Sequence, residues 1–427
     1  MIYNFKGLKV TVVGMARSGL PAGLLLKQLE AYVSVVDSGD SADLSQNRER
    51  LLRQGVKAEV NADERDFIKV SDLVVVSPGV DESSEPIKFA KEKNIPVISE
   101  LELAFQNCSA PIIAVTGTNG KTTVSTLIAE VLKANGKKVF LCGNIGTAFS
   151  SQVLKADKDD FVVLEVSSFQ LEKIEEFRPK ISLFLNFSPD HLDRYKTIDE
   201  YLEAKKRIYL NQKDTDWVVL NFADKIVGGL ESSIKANVRF FNKPTNRDYP
   251  SNLDSNQQAV MAIVSILSLN RQTSLAVLSD FKGIAHRLEF VRRLSDIDFI
   301  NDSKATNISS TRWALERIQQ AVILIAGGRN KGADFSQLKD IVRKKIKLMF
   351  VIGESKDELF DTFANVTSVS KADSLEAALK NAFKSAESGD CILLSPMCAS
   401  FDMFGDYQER GEKFKQFVRS LNEADKK

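Results

Sequence analysis

Histidine is nearly missing from this chain: 427 residues hold only two, His191 and His286, so any imidazole chemistry falls to one of two positions. The four cysteines, Cys108, Cys142, Cys391 and Cys398, show no C-x-x-C spacing. That excludes a paired-cysteine site and leaves them as small buried hydrophobes. Neither sign of charge dominates, with 58 Lys plus Arg against 57 Asp plus Glu, so no net field favours nucleic acid or an acidic membrane. Long hydrophobic runs are absent too. The most apolar stretch, Ala259 to Leu269, is too short to span a bilayer, so no membrane insertion is expected. A strand pattern begins as early as Lys9 with no signal-peptide pattern before it, and a cytoplasmic protein is expected.

What is present is alternation. Short β-branched runs and amphipathic helical stretches follow one another from end to end, which predicts an α/β protein of parallel sheets flanked by helices. The length suggests three domains. The first, residues 1–99, has strands at Lys9 to Val13, Val33 to Val36, Leu73 to Val76 and Pro96 to Ile98. Their ends carry the turns Gly14-Met15-Ala16-Arg17-Ser18-Gly19, Asp37-Ser38-Gly39 and Ser77-Pro78-Gly79, a nucleotide-type crevice in an open sheet. Ala16 replaces the second glycine of the dinucleotide fingerprint, so the match to a nicotinamide site is weak. The second domain, 100–283, has strands at Val139 to Cys142, Phe161 to Val166, Ile181 to Phe187 and Trp217 to Leu220. The third, 284–427, has strands at Phe299 to Ile300, Val322 to Ile325, Met349 to Ile352 and Ile392 to Leu394.

The most specific motif is Thr116-Gly117-Thr118-Asn119-Gly120-Lys121-Thr122-Thr123, between the apolar run Pro111 to Val115 and the helical pattern Val124 to Lys133. Its glycines turn backbone N–H groups toward a polyphosphate, Lys121 supplies charge for the β and γ phosphates, and the Thr122 hydroxyl suits Mg²⁺. The strict pattern has glycine where this chain has Val115, which marks a variant loop.

Glu165 ends the next strand, where an ATPase places a Mg²⁺ ligand. Asn186-Phe187-Ser188-Pro189-Asp190-His191-Leu192-Asp193 follows a further strand and is expected to face the same crevice, in contact with metal or phosphate. In the helix Ile198 to Tyr209, the residues Ile198, Tyr201, Leu202, Ile208 and Tyr209 form one stripe, and Lys205 occupies its empty place. Lys205 is thus predicted to face inward and Lys206 to be solvated. A buried lysine must be paired, neutral or modified. An ordinary salt bridge is the first expectation; addition of CO₂, giving a carbamate that binds a second Mg²⁺, is the other.

In the third domain, His286, Arg287, Lys304, Thr306, Lys331 and Ser400 lie at strand ends and suit an anionic substrate and a migrating phosphoryl group. With Leu164-Glu165-Val166-Ser167-Ser168-Phe169-Gln170, Asn301-Asp302-Ser303-Lys304-Ala305-Thr306-Asn307, Ser395-Pro396-Met397-Cys398-Ala399-Ser400-Phe401 and Arg410-Gly411-Glu412, the chain resembles the Mur ligase family of peptidoglycan synthesis from Lys9 to about Phe417. That resemblance implies a Rossmann-like N-terminal domain, a central P-loop ATPase-like domain and a Rossmann-like C-terminal domain. It implies UDP-N-acetylmuramoyl-L-alanine, D-glutamate and ATP as substrates, two Mg²⁺ ions, a carbamylated Lys205 and a monomer.

Residue by residue, the resemblance places the UDP substrate at Arg17, Ser18, Asp37, Ser38, Gly79, Asn144, Ser167 and His191. ATP falls to Gly117, Thr118, Asn119, Gly120, Lys121, Thr122, Thr123, Asn256, His286, Arg287 and Asp302. The metals fall to Thr122, Glu165, His191 and Lys205, and D-glutamate to Lys304, Thr306, Lys331, Ser400, Phe401 and Tyr407. Lys121, His191, Lys205, Lys304 and Lys331 are the implied catalytic set. Two positions depart from the family pattern: Leu253 stands where an asparagine pairs with Asn256, and Tyr407 where phenylalanine is common. Rival readings are a folylpolyglutamate-type ligase, a GTP-binding switch suggested by Asn330-Lys331-Gly332-Ala333-Asp334, and a nicotinamide-binding redox protein.

Overall fold

Where the chain runs Leu-Val-Val-Val at Leu73–Val76, all four side chains are buried, as expected of a strand covered on both faces. The computed structural model describes residues 2–192, 194–244, 250 and 252–426, and Asp193 of the predicted crevice motif lies outside the described residues. The first sheet contains β1 (Lys9–Val13), β2 (Tyr32–Asp37), β3 (Lys57–Val60), β4 (Leu73–Val76) and β5 (Val97–Ser99), in the order β3-β2-β1-β4-β5. All its pairings are parallel. Strand order reverses between β1 and β4, so the turns that follow them flank a topological switch point.

The second sheet, also parallel, contains β6 (Ile112–Thr116), β7 (Val139–Gly143), β8 (Phe161–Glu165), β9 (Ile181–Phe184), β10 (Trp217–Asn221) and β11 (Asn237–Phe241), in the order β11-β10-β9-β6-β8-β7. β6 is central and entirely buried. The helix Lys121–Ala134 covers it, with Val124, Leu127, Ile128 and Val131 in one apolar cluster with Ala259 to Val264 of the helix Ser255–Ile266.

The third sheet contains β12 (Glu289–Leu294), β13 (Ile297–Asn301), β14 (Val322–Gly327), β15 (Ile346–Ile352), β16 (Ser368–Lys371) and β17 (Cys391–Leu394), in the order β12-β13-β17-β14-β15-β16. It is parallel except for the β12–β13 hairpin. Ser295 and Asp296 turn that hairpin with φ of 51° and 57°, the left-handed pair that a two-residue connection requires. The C-terminal sheet is therefore mixed, not purely parallel.

The chain divides into two compact units, Met1–Phe187 with Asp199–Phe281, and Ser188–Ile198 with Lys282–Lys427. The first carries the first two sheets and the second carries the third. Among the described residues no helix is long and apolar enough to cross a membrane. All four cysteines are free; Cys142, Cys391 and Cys398 are buried, and burial raises their thiols, the last two to about 12.

Candidate functional site

β6 continues through Val115 to Thr116, and Val115 lies in register with Glu165 of β8 and Leu183 of β9. The position that departs from the strict loop is thus a core strand residue, and the turn starts after it. Gly120 takes φ 84° at the start of the helix Lys121–Ala134, and a Cβ there would lie 2.9 Å from the Asn256 side chain, so only glycine lets Asn256 approach. A helix N-terminus directs backbone N–H groups toward the loop before it, an arrangement suited to an anion. Asn186 fixes the loop's course: its carbonyl accepts from Thr118 N (3.0 Å), its Oδ1 from Asn119 N (2.8 Å), and its Nδ2 donates to Asn119 O (3.0 Å). Lys121 Nζ donates to the carbonyls of Gly117 and Thr118, each at 2.9 Å. Thr122 is buried, and the Thr123 hydroxyl is buried without a hydrogen-bond partner.

Lys205 is 2% exposed, as the stripe in its helix predicts. The helix Ile198–Lys206 continues as a 3₁₀ turn, Arg207–Tyr209; Tyr201, Ile208 and Tyr209 are buried with Lys205, whereas Ile198 is 36% exposed. Lys205 Nζ donates to Gly117 O at 3.0 Å and lies 4.6 Å from the Tyr201 ring centre. Lys206 is part-exposed and pairs with Glu203.

Glu165 is buried at the end of β8. Its Oε1 accepts from Asn144 Nδ2 at 2.9 Å, and its Oε2 has no partner. A buried carboxylate oxygen left unpaired in a phosphate-loop domain is the donor that a hard cation needs, so this residue fits Mg²⁺. Gly143 and Asn144 make the loop on which this depends. Gly143 has φ 101°, and a Cβ there would sit 2.5 Å from Glu165 O.

In the same unit a cleft of about 760 Å³ opens at the switch point of the first sheet. Arg17, Ser18, Asp37, Ser38, Gly79 and Asn144 all line it, which brings together six of the eight residues expected at the UDP substrate. Asp37 organises the turns, accepting from Met15 N at 2.7 Å and Gly39 N at 2.9 Å. Ser167 caps the short helix Ser168–Leu171 and is not part of the lining.

His191 belongs to the second unit, so the expected metal ligands are divided between the units. It takes φ 56°, and its Nε2 is 3.9 Å from Asp190. Asp190 accepts from Lys331 Nζ (3.0 Å) and Asn307 Nδ2 (2.8 Å). Burial pushes this carboxyl up, but the charges of Lys331 and His191 and the hydrogen bonds from Asn307 and Lys331 outweigh it and leave it at about 2. Asp190, Asn307 and Lys331, but not His191, border a pocket of about 300 Å³. Of the residues expected at the amino acid, Lys331 alone lines it. Lys304 instead donates to Tyr407 Oη (3.3 Å) and lies over its ring, Thr306 N donates to Lys304 O (2.9 Å), Ser400 is buried and Phe401 is 65% exposed.

Asp302 is buried, accepting from Ser395 Oγ (2.8 Å) and Leu288 N (3.2 Å). Burial raises its carboxyl to about 7 against those bonds and the charge of Arg287. The Arg287 Nε is buried without a partner, a donor suited to an anion. His286 is lowered, first by burial and then by the charge of Lys415, and its Nδ1 is 3.0 Å from Asn301 Nδ2.

Several contributors were not singled out from sequence. Asn186, Asn307 and Ser395 orient neighbours, and their only signal was a place in a polar strand-end run. Arg410 is 1% exposed, bonded to the carbonyls of Ser303 (2.9 Å), Cys398 (3.2 Å), Gly327 and Ala399 (both 3.4 Å), and so ties the ends of three strands. The guanine-reading alternative loses its support here, because Asn330 Nδ2 is committed to Ala333 O and to Glu358, each at 3.1 Å.

Three family models match: the Mur ligase MurD-like N-terminal domain over residues 8–99, the Mur ligase middle domain over 115–282 and the Mur ligase glutamate ligase domain over 286–398. The UDP-N-acetylmuramoylalanine–D-glutamate ligase of Geotalea uraniireducens is 38% identical over 449 residues, covering 97% of this chain and 98% of that one. The ligase of the same name from Thermoanaerobacter sp. is 36% identical, covering 98% and 99%. Among solved structures, UDP-N-acetylmuramate-alanine ligase MurC of Thermotoga maritima superposes with TM-score 0.60 at 18% identity, over 97% of this chain and 99% of that one. MurF ligase of Thermotoga maritima in complex with ADP gives 0.59 at 16%, over 97% and 96%. At those identities the two structures speak for the fold.

Proposed function

The chain belongs to the Mur ligase family, and on that premise we propose how its residues carry the reaction. It is an ATP-dependent ligase that adds D-glutamate to UDP-N-acetylmuramoyl-L-alanine in peptidoglycan synthesis. In our reading the substrate carboxylate attacks the γ-phosphorus of ATP, the bond to ADP breaks, and an acyl phosphate forms. The D-glutamate amine then attacks that carbonyl carbon. Phosphate leaves with its electron pair, the nitrogen loses a proton, and an amide remains.

The observation that carries this is the phosphate loop with Glu165 one strand away, its Oε2 buried and unpaired. Lys121 would give up its two loop carbonyls to meet the β and γ phosphates, and the Thr122 hydroxyl and Glu165 would hold Mg²⁺. Bound there, the cation would neutralise charge on the transferring phosphoryl group. Lys205 as a carbamate would offer two more oxygens to a second Mg²⁺ while keeping one N–H, enough to retain the bond to Gly117 O. His191 is assigned to a metal as well. His286, Asp302, Asn256 and the unpaired Arg287 Nε serve the nucleotide; Lys304, Thr306, Lys331, Ser400, Phe401 and Tyr407 serve D-glutamate. Arg17, Ser18, Asp37, Ser38, Gly79 and Asn144 serve the uridine nucleotide. We read the enzyme as a cytoplasmic monomer.

The test is phosphate release from ATP in the presence of UDP-N-acetylmuramoyl-L-alanine, comparing D-glutamate, L-glutamate and no amino acid. Release that depends on D-glutamate supports the reading, and release indifferent to it overturns it.

A further inference from the structure

Asn144 touches two things at once: it lines the cleft of the first unit, and it holds the carboxylate of Glu165. A carboxylate only accepts, so the amide face toward Glu165 must be its NH₂, and Oδ1 is directed away from it. The backbone repeats the link, with Asn144 N donating to Glu165 O at 2.8 Å. Gly143 N closes the loop on Thr147 O at 2.9 Å, and Arg17, from the turn after β1, pins it by donating to the carbonyls of Gly143 (3.3 Å), Asn144 (3.3 Å) and Gly146 (2.8 Å). One short loop therefore joins a cleft-lining guanidinium to a buried carboxylate whose other oxygen is unpaired.

We propose that Asn144 is a positioning residue that couples the filling of the uridine-nucleotide cleft to the cation affinity of Glu165. A ligand that donates a hydrogen bond to Asn144 Oδ1, such as the hydroxyl or acylamino N–H of an amino sugar, fixes the amide in the orientation that aims Glu165. The two binding events then strengthen each other, because reciprocity is required of any such coupling. Arg17 holds the loop in register while the cleft is empty and has its charge available to a diphosphate when it is full. This inference rests on the assignment of Glu165 to a metal and of the cleft to the UDP substrate.

The experiment is a titration of the full-length enzyme with Mn²⁺, read by the loss of the free-ion electron paramagnetic resonance signal. Free nucleotide, which would itself chelate Mn²⁺, is left out, and the titration is run with and without UDP-N-acetylmuramoyl-L-alanine against a protein-free blank of each. The expected result is Mn²⁺ affinity about tenfold tighter with the UDP substrate, within the usual range of coupling between two sites. In Asn144→Leu, which keeps the branched shape and removes the amide, that difference should vanish while circular dichroism shows the variant folded at the assay temperature; a difference that persists there overturns the coupling. An unchanged wild-type affinity on adding substrate, together with loss of Mn²⁺ binding in Glu165→Gln, overturns the coupling and leaves the metal assignment standing. Wild-type Mn²⁺ affinity in Glu165→Gln overturns the metal assignment and the coupling with it.

Discussion

Lys121 and Lys205 share one acceptor: both ammonium groups donate to the carbonyl oxygen of Gly117, at 2.9 and 3.0 Å. Two cations on one oxygen repel each other, and the strain is relieved if one leaves for a phosphate and the other loses its charge.

Carbamylation of Lys205 meets that second condition, so we predict a mass gain of one CO₂ on the intact protein, seen by native mass spectrometry in bicarbonate and absent from Lys205→Ala. Lys205→Ala should abolish ligation and regain part of it with small carboxylates such as acetate. Full activity in the variant would refute the carbamate.

Glu165→Gln keeps the size of the side chain and removes its charge. Since a metal's electrostatic contribution to phosphoryl transfer amounts to several kcal/mol, activity should fall by more than about a hundredfold. ADP should still bind in calorimetry. Near-normal turnover would remove Glu165 from the metal site.

Asp302 predicts a pH dependence of stability. Its carboxyl is raised from 3.8 to about 7 by burial, against the pull of Ser395, Arg287 and Leu288 N. Between those values the folded chain keeps a proton that the unfolded chain has released, so this residue's contribution declines as pH rises toward 7 and is level above it. Asp302→Asn fixes the neutral form and should flatten denaturant-unfolding stability across that window. An unaltered slope would contradict it.

Asp190 behaves in the opposite sense. Held at about 2, with burial opposed by Lys331, His191 and Asn307, it contributes stability above 3.8 that is lost as pH falls through 2. Lys331→Met strands a mostly buried carboxylate, and unfolding midpoints should report a loss of about 3 kcal/mol at neutral pH. A loss of a few tenths would show that the pair is worth no more than a surface contact.

How much of this was legible beforehand follows from where apolar side chains had to go. Interior strands such as β1, β4, β14 and β17 were read within two residues because both of their faces are covered. The strands that sequence patterning missed, β3, β11, β12 and β16, all lie at sheet edges. There Lys57, Arg239, Arg292 and Lys371 interrupt the run, as edges facing water require. Lys205 was legible because one charged residue filled a gap in an apolar stripe. Glu165 and Asn144 were each named from sequence, but their pairing was not, since nothing local says that a loop residue reaches a strand 21 positions on. Asp190 with Lys331 spans 141 positions and could only be found in space.

The thiols have a practical consequence. Cys142 in β7, Cys391 in β17 and Cys398 in the turn after β17 are buried, with ionisation suppressed, so a reagent that attacks thiolates reaches them only after the surrounding core opens. The rate at which an alkylating agent consumes them is a built-in clock for unfolding. A single cysteine placed on the surface would react long before those three, so only the half-buried Cys108 needs replacing before the chain takes one selective label.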